Sequence, residues 1–210
     1  MSDDEPIRCG WATARSGPDF ELYRDYHDRE WGQTVRDGVA LFERMSLEAF
    51  QSGLSWLTIL RKRENFRRAF SGFDIDAVAG YTDADVQRLM ADPGIVRNRA
   101  KIEATIANAR AAAELGGATQ LAELLWSFAP APRSRPADAS EIPSATAEST
   151  AMAGELKRRG FRFVGPTTAY ALMQATGMVD DHIRGCWCPR RCAENTDVGL
   201  CTSGDLDREQ

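Results

Sequence analysis

The sequence predicts an all-α fold, and three features carry the prediction. Apolar residues recur at steps of three and four, N-capping residues stand just before these runs, and no segment alternates at period two as a half-buried strand would. The first clear helix spans Val39 to Phe50, with Leu41, Phe42, Met45, Ala49 and Phe50 on one face. Ser55 caps a second, from Trp56 to Phe70, whose exposed positions are basic. Asp74 and Thr82 begin two short helices, and Asp85, three after Thr82, takes the acidic place of a capping box. An alanine-rich helix from Arg99 to Glu114 stops at Gly116-Gly117, and a short one follows from Leu121 to Phe128. Pro130, Pro132, Pro136 and Pro143 then mark an irregular connection. Thr146 opens a helix that ends at Gly160, and Pro166 suits the first turn of a last helix running to Gly177. The expected organisation is one domain over residues 8–192, with its helical core at about 38–178. Residues 1–7 and 193–210 are polar, acidic and short of core-forming side chains, and read as tails.

A chain of 210 residues, 43% hydrophobic and 27% charged, can bury a sizeable core. No run approaches the ~18 apolar residues a membrane span needs. The acidic opening lacks the basic and apolar segments of a secretory signal, so the expected location is the cytoplasm. Five cysteines cannot all pair within one chain, and in a reducing compartment they read as free or metal-bound. The formal charge of −5 hides an uneven distribution. Asp3, Asp4 and Glu5 lie before residue 8, and Glu194, Asp197, Asp205, Asp207 and Glu209 outweigh Arg208 after residue 192, which leaves residues 8–192 at +2. Within that core the bases cluster as Arg61-Lys62-Arg63 with Arg67-Arg68, as Arg97, Arg99 and Lys101, and as Lys157-Arg158-Arg159 with Arg162. Any one cluster reads most simply as a solvated helix face, whereas three together suit a surface that tracks phosphates.

Three constellations carry chemistry. The two histidines, His27 and His182, both lie near thiols, and His182 and Cys186 stand four apart, as two ligands on one helix face would. With Cys9 and His27 from the other end of the chain they form a possible closed tetrahedral set, in which Cys188 or Cys192 is an alternative to Cys186. On spacing alone, unbound polar residues are the plainer reading. From Arg159 to His182 a helix, a glycine-bearing turn and a second helix read as a helix-hairpin-helix, whose turn amides and helix N-terminus hold a DNA phosphate, or else as a plain helical corner. Finally, Trp11, Tyr23, Tyr26, Trp31 and Trp56 accompany Glu48, a charge among the apolar residues of its helix. Each aromatic alone suits a core, but together with a carboxylate they suit a slot for a flat base.

The motifs Arg-Cys-Gly-Trp at 8–11, Tyr-His-Asp-Arg-Glu-Trp-Gly at 26–32, Leu-Glu-Ala-Phe-Gln-Ser-Gly-Leu-Ser-Trp at 47–56 and Lys-Arg-Glu-Asn-Phe at 62–66 occur in one order. They are followed by Gly-Ile-Val-Arg-Asn-Arg-Ala-Lys-Ile at 94–102, Trp-Ser-Phe at 126–128, Lys-Arg-Arg-Gly-Phe-Arg-Phe-Val-Gly-Pro-Thr at 157–167 and Asp-His-Ile-Arg-Gly-Cys at 181–186. This series resembles the 3-methyladenine DNA glycosylase I family over residues 8 to about 187. The resemblance implies a helix-hairpin-helix glycosylase fold and one structural zinc on Cys9, His27, His182 and Cys186, joining segments 8–32 and 179–192. It implies a flipped base among Trp11, Tyr23, Tyr26 and Trp56, with Glu48 hydrogen-bonding its edge, and DNA contacts from Arg162, Gly165 and Thr167. The implied partner is double-stranded DNA carrying an alkylated adenine, met by a monomer, with no membrane involved.

The sequence also departs from the family pattern. About five extra residues lie within 12–22, and Ala49 and Phe50 stand where the family often has a glycine and a polar residue. Residues 188–210, with Cys188, Cys192 and Cys201, have no family counterpart. Asp180 precedes His182 by two, the place of a catalytic aspartate in many helix-hairpin-helix glycosylases, where this family often has asparagine. It is read either as a catalytic carboxylate or as a backbone cap beside His182. The rival functions are a broader alkylpurine glycosylase, a non-catalytic binder of damaged DNA and a zinc-stabilised helical interaction protein.

Overall fold

Ten α-helices and no strand occur among the described residues of the computed structural model, which are 5–14 and 17–189. In order they are α1 (Gly10–Thr13), α2 (Pro18–Arg29), α3 (Gly38–Gln51), α4 (Trp56–Ala69), α5 (Ile75–Ala79), α6 (Asp83–Ala91), α7 (Arg99–Leu115), α8 (Ala118–Trp126), α9 (Ala147–Arg158) and α10 (Pro166–Ala175). The expected caps are in place. Ser55 Oγ accepts from the Thr58 amide, Asp74 from the Ala77 amide and Thr146 Oγ1 from the Ser149 amide, while Thr82 and Asp85 form the capping box. Gly116, at φ 117°, ends α7 in the left-handed conformation that glycine adopts without steric cost. Gly117 then serves as the N-cap of α8, so that helix begins at Ala118, three residues before the first strongly apolar position.

Helices α1 and α2 lie outside the elements read from sequence. Pro18 at the start of α2, acids in its first turn and basic residues in its last are ordinary helix signals. Among the described side chains of that helix only Tyr23, Tyr26 and His27 are buried, so its apolar stripe is too narrow to announce it.

Helix α3 is the hub, with α4, α7, α8 and α10 all packed on it. Its residues from Leu41 to Phe50 are buried without a break, including Glu43, Arg44, Ser46 and Glu48. A helix enclosed on every side must pair its charges, because an unpaired buried charge is costly. Arg67 holds Glu43 and Glu30 holds Arg44. Glu48 has no hydrogen-bond partner among the described residues.

The main apolar cluster runs from Leu41 through Phe66, Phe70, Phe73 and Ile102 to Tyr170 and Val179. A smaller one gathers Cys9, Cys186 and Cys188 with Trp11, Trp31 and Ile183, and there the two ends of the described chain meet. Gly177 makes this junction possible. Its φ is 70°, and a Cβ there would lie 2.8 Å from the Gly32 carbonyl oxygen.

Candidate functional site

The four thiol and imidazole groups expected to come together do so. Cys186 Sγ is 3.5 Å from His27 Nε2 and 3.5 Å from His182 Nδ1, and Cys9 Sγ is 3.6 Å from His182 Nδ1. All four ligand atoms lie within 4.8 Å of one another, and every residue is buried, a group that can hold a metal ion. The second nitrogen of each imidazole is also engaged. His27 Nδ1 faces Asp28 Oδ1 at 2.8 Å, and His182 Nε2 faces the Trp31 carbonyl at 3.3 Å. Such outer partners fix the ring orientation and tautomer of a ligating histidine. Burial works against the Asp28 carboxylate, but hydrogen bonds from Arg8 and His27 outweigh it and keep its pKa below the usual range. Hydrogen bonds from the Cys188 and Cys9 thiols push Cys186 towards its thiolate. Cys188 itself lies 3.7 Å from the outer nitrogen of His27, and with His27 and Asp28 it makes a second group of donors that could hold a metal ion. Cys192 and Cys201 lie outside the described residues.

Beside this cluster a cavity of about 310 Å³ is lined by Trp11, Tyr23, Tyr26, Trp31, Glu48 and Trp56, closed further by Gln51 and by Ile142, Ala171 and Gln174. The four aromatics proposed for a base therefore line one cavity. Tyr26 and Trp56 stand with ring centroids 5.3 Å apart, and Trp11 meets the edges of Tyr23 and Trp31. Tyr23 is fixed by the Leu57 amide, which donates to its hydroxyl. Trp31 and Trp11 also contact His27, and Trp31 contacts His182, so the thiol–imidazole cluster backs the cavity directly. Another cavity, of about 330 Å³, lies between Arg36, Trp126 and the start of α8, away from these groups.

Two polar groups in the slot lack protein partners. Glu48 is 6% exposed, and burial pushes its pKa up to about 8 against the opposing pull of Arg44. Trp56 Nε1 is buried without an acceptor. In a folded protein such groups are rare.

Sequence reasoning missed Gln51 and the support behind Gln174, whereas Trp31, which the aromatic pattern placed in the slot and the family resemblance left out, does line it. Gln51 was detectable, because it stands three after Glu48 and shares its helix face. Asp181 is a buried hub that accepts from Arg133, Tyr170 and Gln174 at 2.6, 2.6 and 2.9 Å, and nothing in its spacing announced these partners. Asp180 does not line the slot. One of its oxygens accepts from Arg135 Nε at 2.8 Å, and the other takes the His182 amide at 3.3 Å.

The basic clusters divide by position. Arg63 pairs with Glu30, Arg67 with Glu43 and Glu64, and Arg61 with Asp19, so the 61–68 cluster is largely internal bracing. Arg158 and Arg159 both pair with Glu155, whereas Arg162 is exposed in the turn before α10 and Thr167 in its first turn. Gly165 is the N-cap of α10 and supplies no side-chain cap.

A helical scaffold with an aromatic slot, a lone buried carboxyl inside it and a basic turn beside it defines a base-binding protein. The sequence profile described as methyladenine glycosylase matches residues 16–189. The chain is 46% identical over 184 residues to DNA-3-methyladenine glycosylase 1 of Escherichia coli K12, covering 86% of this chain and 96% of that one. A crystal structure of 3-methyladenine DNA glycosylase I superposes with a TM-score of 0.80 at 44% identity, over 87% of this chain and 99% of the other. A Staphylococcus aureus structure, described as showing the basis of 3-methyladenine recognition, superposes at 0.78 with 34% identity, over 86% and 97%. The chain belongs to the methyladenine glycosylase family.

Proposed function

We propose that this protein hydrolyses the N-glycosidic bond of 3-methyladenine in alkylated DNA, releasing the free base and leaving an abasic site. The observation that carries the reading is Glu48, a buried carboxyl without a protein partner in an aromatic slot. A base inside a duplex is out of reach, so the enzyme extrudes it into a pocket. Alkylation at N3 leaves the nucleotide base positively charged and its glycosidic bond weak. The Glu48 carboxylate favours that cation and accepts from its exocyclic amine. The indole and phenol faces of Trp11, Tyr26 and Trp56 add cation–π attraction. A departing base that is already charged needs no strong acid. Water adds to the sugar as the base leaves with the bond electrons, and no lysine nucleophile takes part, so the strand stays intact.

We assign the metal as zinc, in a structural role. With Zn–S near 2.3 Å and Zn–N near 2.0 Å, a tetrahedral site has S···N edges of about 3.5 Å. Three of the four such edges here are 3.5, 3.5 and 3.6 Å. Two thiolates would balance the ion's charge, and four protein donors leave no open position for water. The α9–α10 pair acts as a helix-hairpin-helix, with Arg162, Gly165 and Thr167 at a phosphate of double-stranded DNA. Residues 8–192 act as one domain and one monomer, in the cytoplasm with the chromosome. Segments 8–32 and 179–192 are its zinc-clipped ends, of which residues 15, 16 and 190–192 lie outside the described residues.

The slot is tested by titrating free 3-methyladenine and following tryptophan fluorescence. Trp56→Ala should weaken binding by about 1–3 kcal/mol, the contribution of one stacked ring. An unchanged affinity would remove Trp56 from the base site. Asp180 is assigned to holding the ligand loop, through Arg135 and the His182 amide. Asp180→Asn keeps an acceptor for that amide and should change single-turnover excision by less than about tenfold, below the range of a general base. A larger loss, with folding and metal intact, would make Asp180 catalytic.

A further inference from the structure

Helix α7 is buried along a face that is not wholly apolar: Lys101 and Asn108 are both almost completely buried there. They stand seven residues apart, two turns along one face and about 10 Å along the axis. Neither has an acidic partner. Lys101 Nζ donates to the carbonyls of Phe50 at 2.9 Å and Ser52 at 2.5 Å, where α3 gives way to the loop leading to Trp56. Asn108 holds both backbone groups of one residue: its Nδ2 donates to the Arg162 carbonyl at 3.1 Å, and its Oδ1 accepts the Arg162 amide at 2.7 Å. Asn108 thus pins the turn between α9 and α10.

The two pinned loops have much in common. Each presents a large apolar side chain to solvent, Leu54 in one and Phe163 in the other, both 42% exposed. Each adjoins an element that lines the slot, through Gln51 and Trp56 on one side and Ala171 and Gln174 on the other. Phe163 has a φ of 55°, a conformation costly for an aromatic residue and kept only where its surroundings impose it. The Asn108 clamp on the preceding residue imposes it, and directs the ring outwards beside the exposed Arg162. A buried ammonium that holds two carbonyls is likewise an expensive device for closing a helix, since burial lowers its pKa.

We propose that Lys101 and Asn108 are positioning residues for the DNA substrate, with α7 as the rigid spacer that sets the two loops at a fixed separation on the duplex. This rests on the glycosylase reading, and it concerns how the duplex is gripped, not how the base is held. Lys101→Met and Asn108→Leu remove the clamps at similar volume. Each should weaken binding of an abasic-site duplex by about tenfold, the scale of having to order a released contact loop on binding. KM for methylated DNA should rise while kcat and the affinity for free 3-methyladenine stay within about twofold. Lys101→Arg, which keeps a charged donor, should restore most of the duplex affinity, and Asn108→Asp, which keeps only the acceptor, should fall between. These two partial variants carry the test if the apolar ones do not fold. Unchanged duplex affinity in the folded variants would overturn the proposal. So would a parallel loss of duplex and free-base affinity, the mark of a general structural role. Failure of the wild-type protein to bind free 3-methyladenine would instead strike the glycosylase reading itself.

Discussion

His182→Ala should abolish metal retention and lower thermal stability by more than about 10 °C. The residue lies where the two ends of the described chain are joined, with its Nδ1 on Cys9 and Cys186 and its Nε2 on the Trp31 carbonyl. A structural zinc site binds its ion by about 10–16 kcal/mol, and that binding is stabilisation of the fold that creates it. The large apolar cluster on α3 does not depend on the ion, so part of the helical scaffold should survive. Loss of even about 5 kcal/mol would still shift the midpoint by about 10–20 °C in a protein of this size. Calorimetry with elemental analysis of protein purified without chelator is the check. A wild-type zinc content near zero, or a midpoint moved by less than about 2 °C in the variant, would remove the metal from the account. The slot should suffer too, because Trp11 and Trp31 rest on the ligand histidines.

Glu48→Gln should lower kcat/KM for excision by about 10²-fold, comparable to removing one preorganised electrostatic contact from an active site. It should also make the protein more stable in alkali. Burial raises the Glu48 pKa from 4.5 to about 8, so between those values the folded protein keeps a proton that the unfolded chain has released. The wild type therefore loses stability as pH rises from about 4.5 to 8, and the loss is complete above that window. Glutamine cannot ionise, so the variant escapes the loss, and its advantage should be large at pH 9 and absent at pH 4. Excision has the opposite sign, because the cationic base requires the carboxylate. Wild-type kcat/KM should climb about tenfold per pH unit below 8 and level off above it, while the variant stays flat across the window. A variant that is less stable at pH 9, or that keeps the wild-type slope, would contradict this role for Glu48.

Much of the scaffold was legible because local signals agreed with the tertiary structure. Ser55, Asp74, Thr82 and Thr146 cap helices where their side chains predict, and Gly116 ends α7. What escaped notice depends on partners far away in the chain. The bases at 61–68 looked like surface charge because Asp19, Glu30 and Glu43, which neutralise them, lie 24 or more residues before their partners, on α2, at its C-cap and on α3. Lys101 seemed part of a basic run, yet it points inwards to two carbonyls some fifty residues before it. The thiol–imidazole set was ambiguous for the same reason: the gap from His27 to His182 has no characteristic length, and only the family pattern singled out these four. Glu48 was the informative exception. A charge on the apolar face of a predicted helix is a local contradiction, and in the structure that contradiction marks the slot.

The bases that the protein releases from a duplex methylated with a simple alkylating agent test its activity most directly. Chromatography after incubation should show free 3-methyladenine appearing in step with abasic sites, in strands that remain uncut until heated or treated with alkali. Release of no base by folded, metal-replete protein, or strand cleavage coupled to each release, would contradict a hydrolytic 3-methyladenine glycosylase.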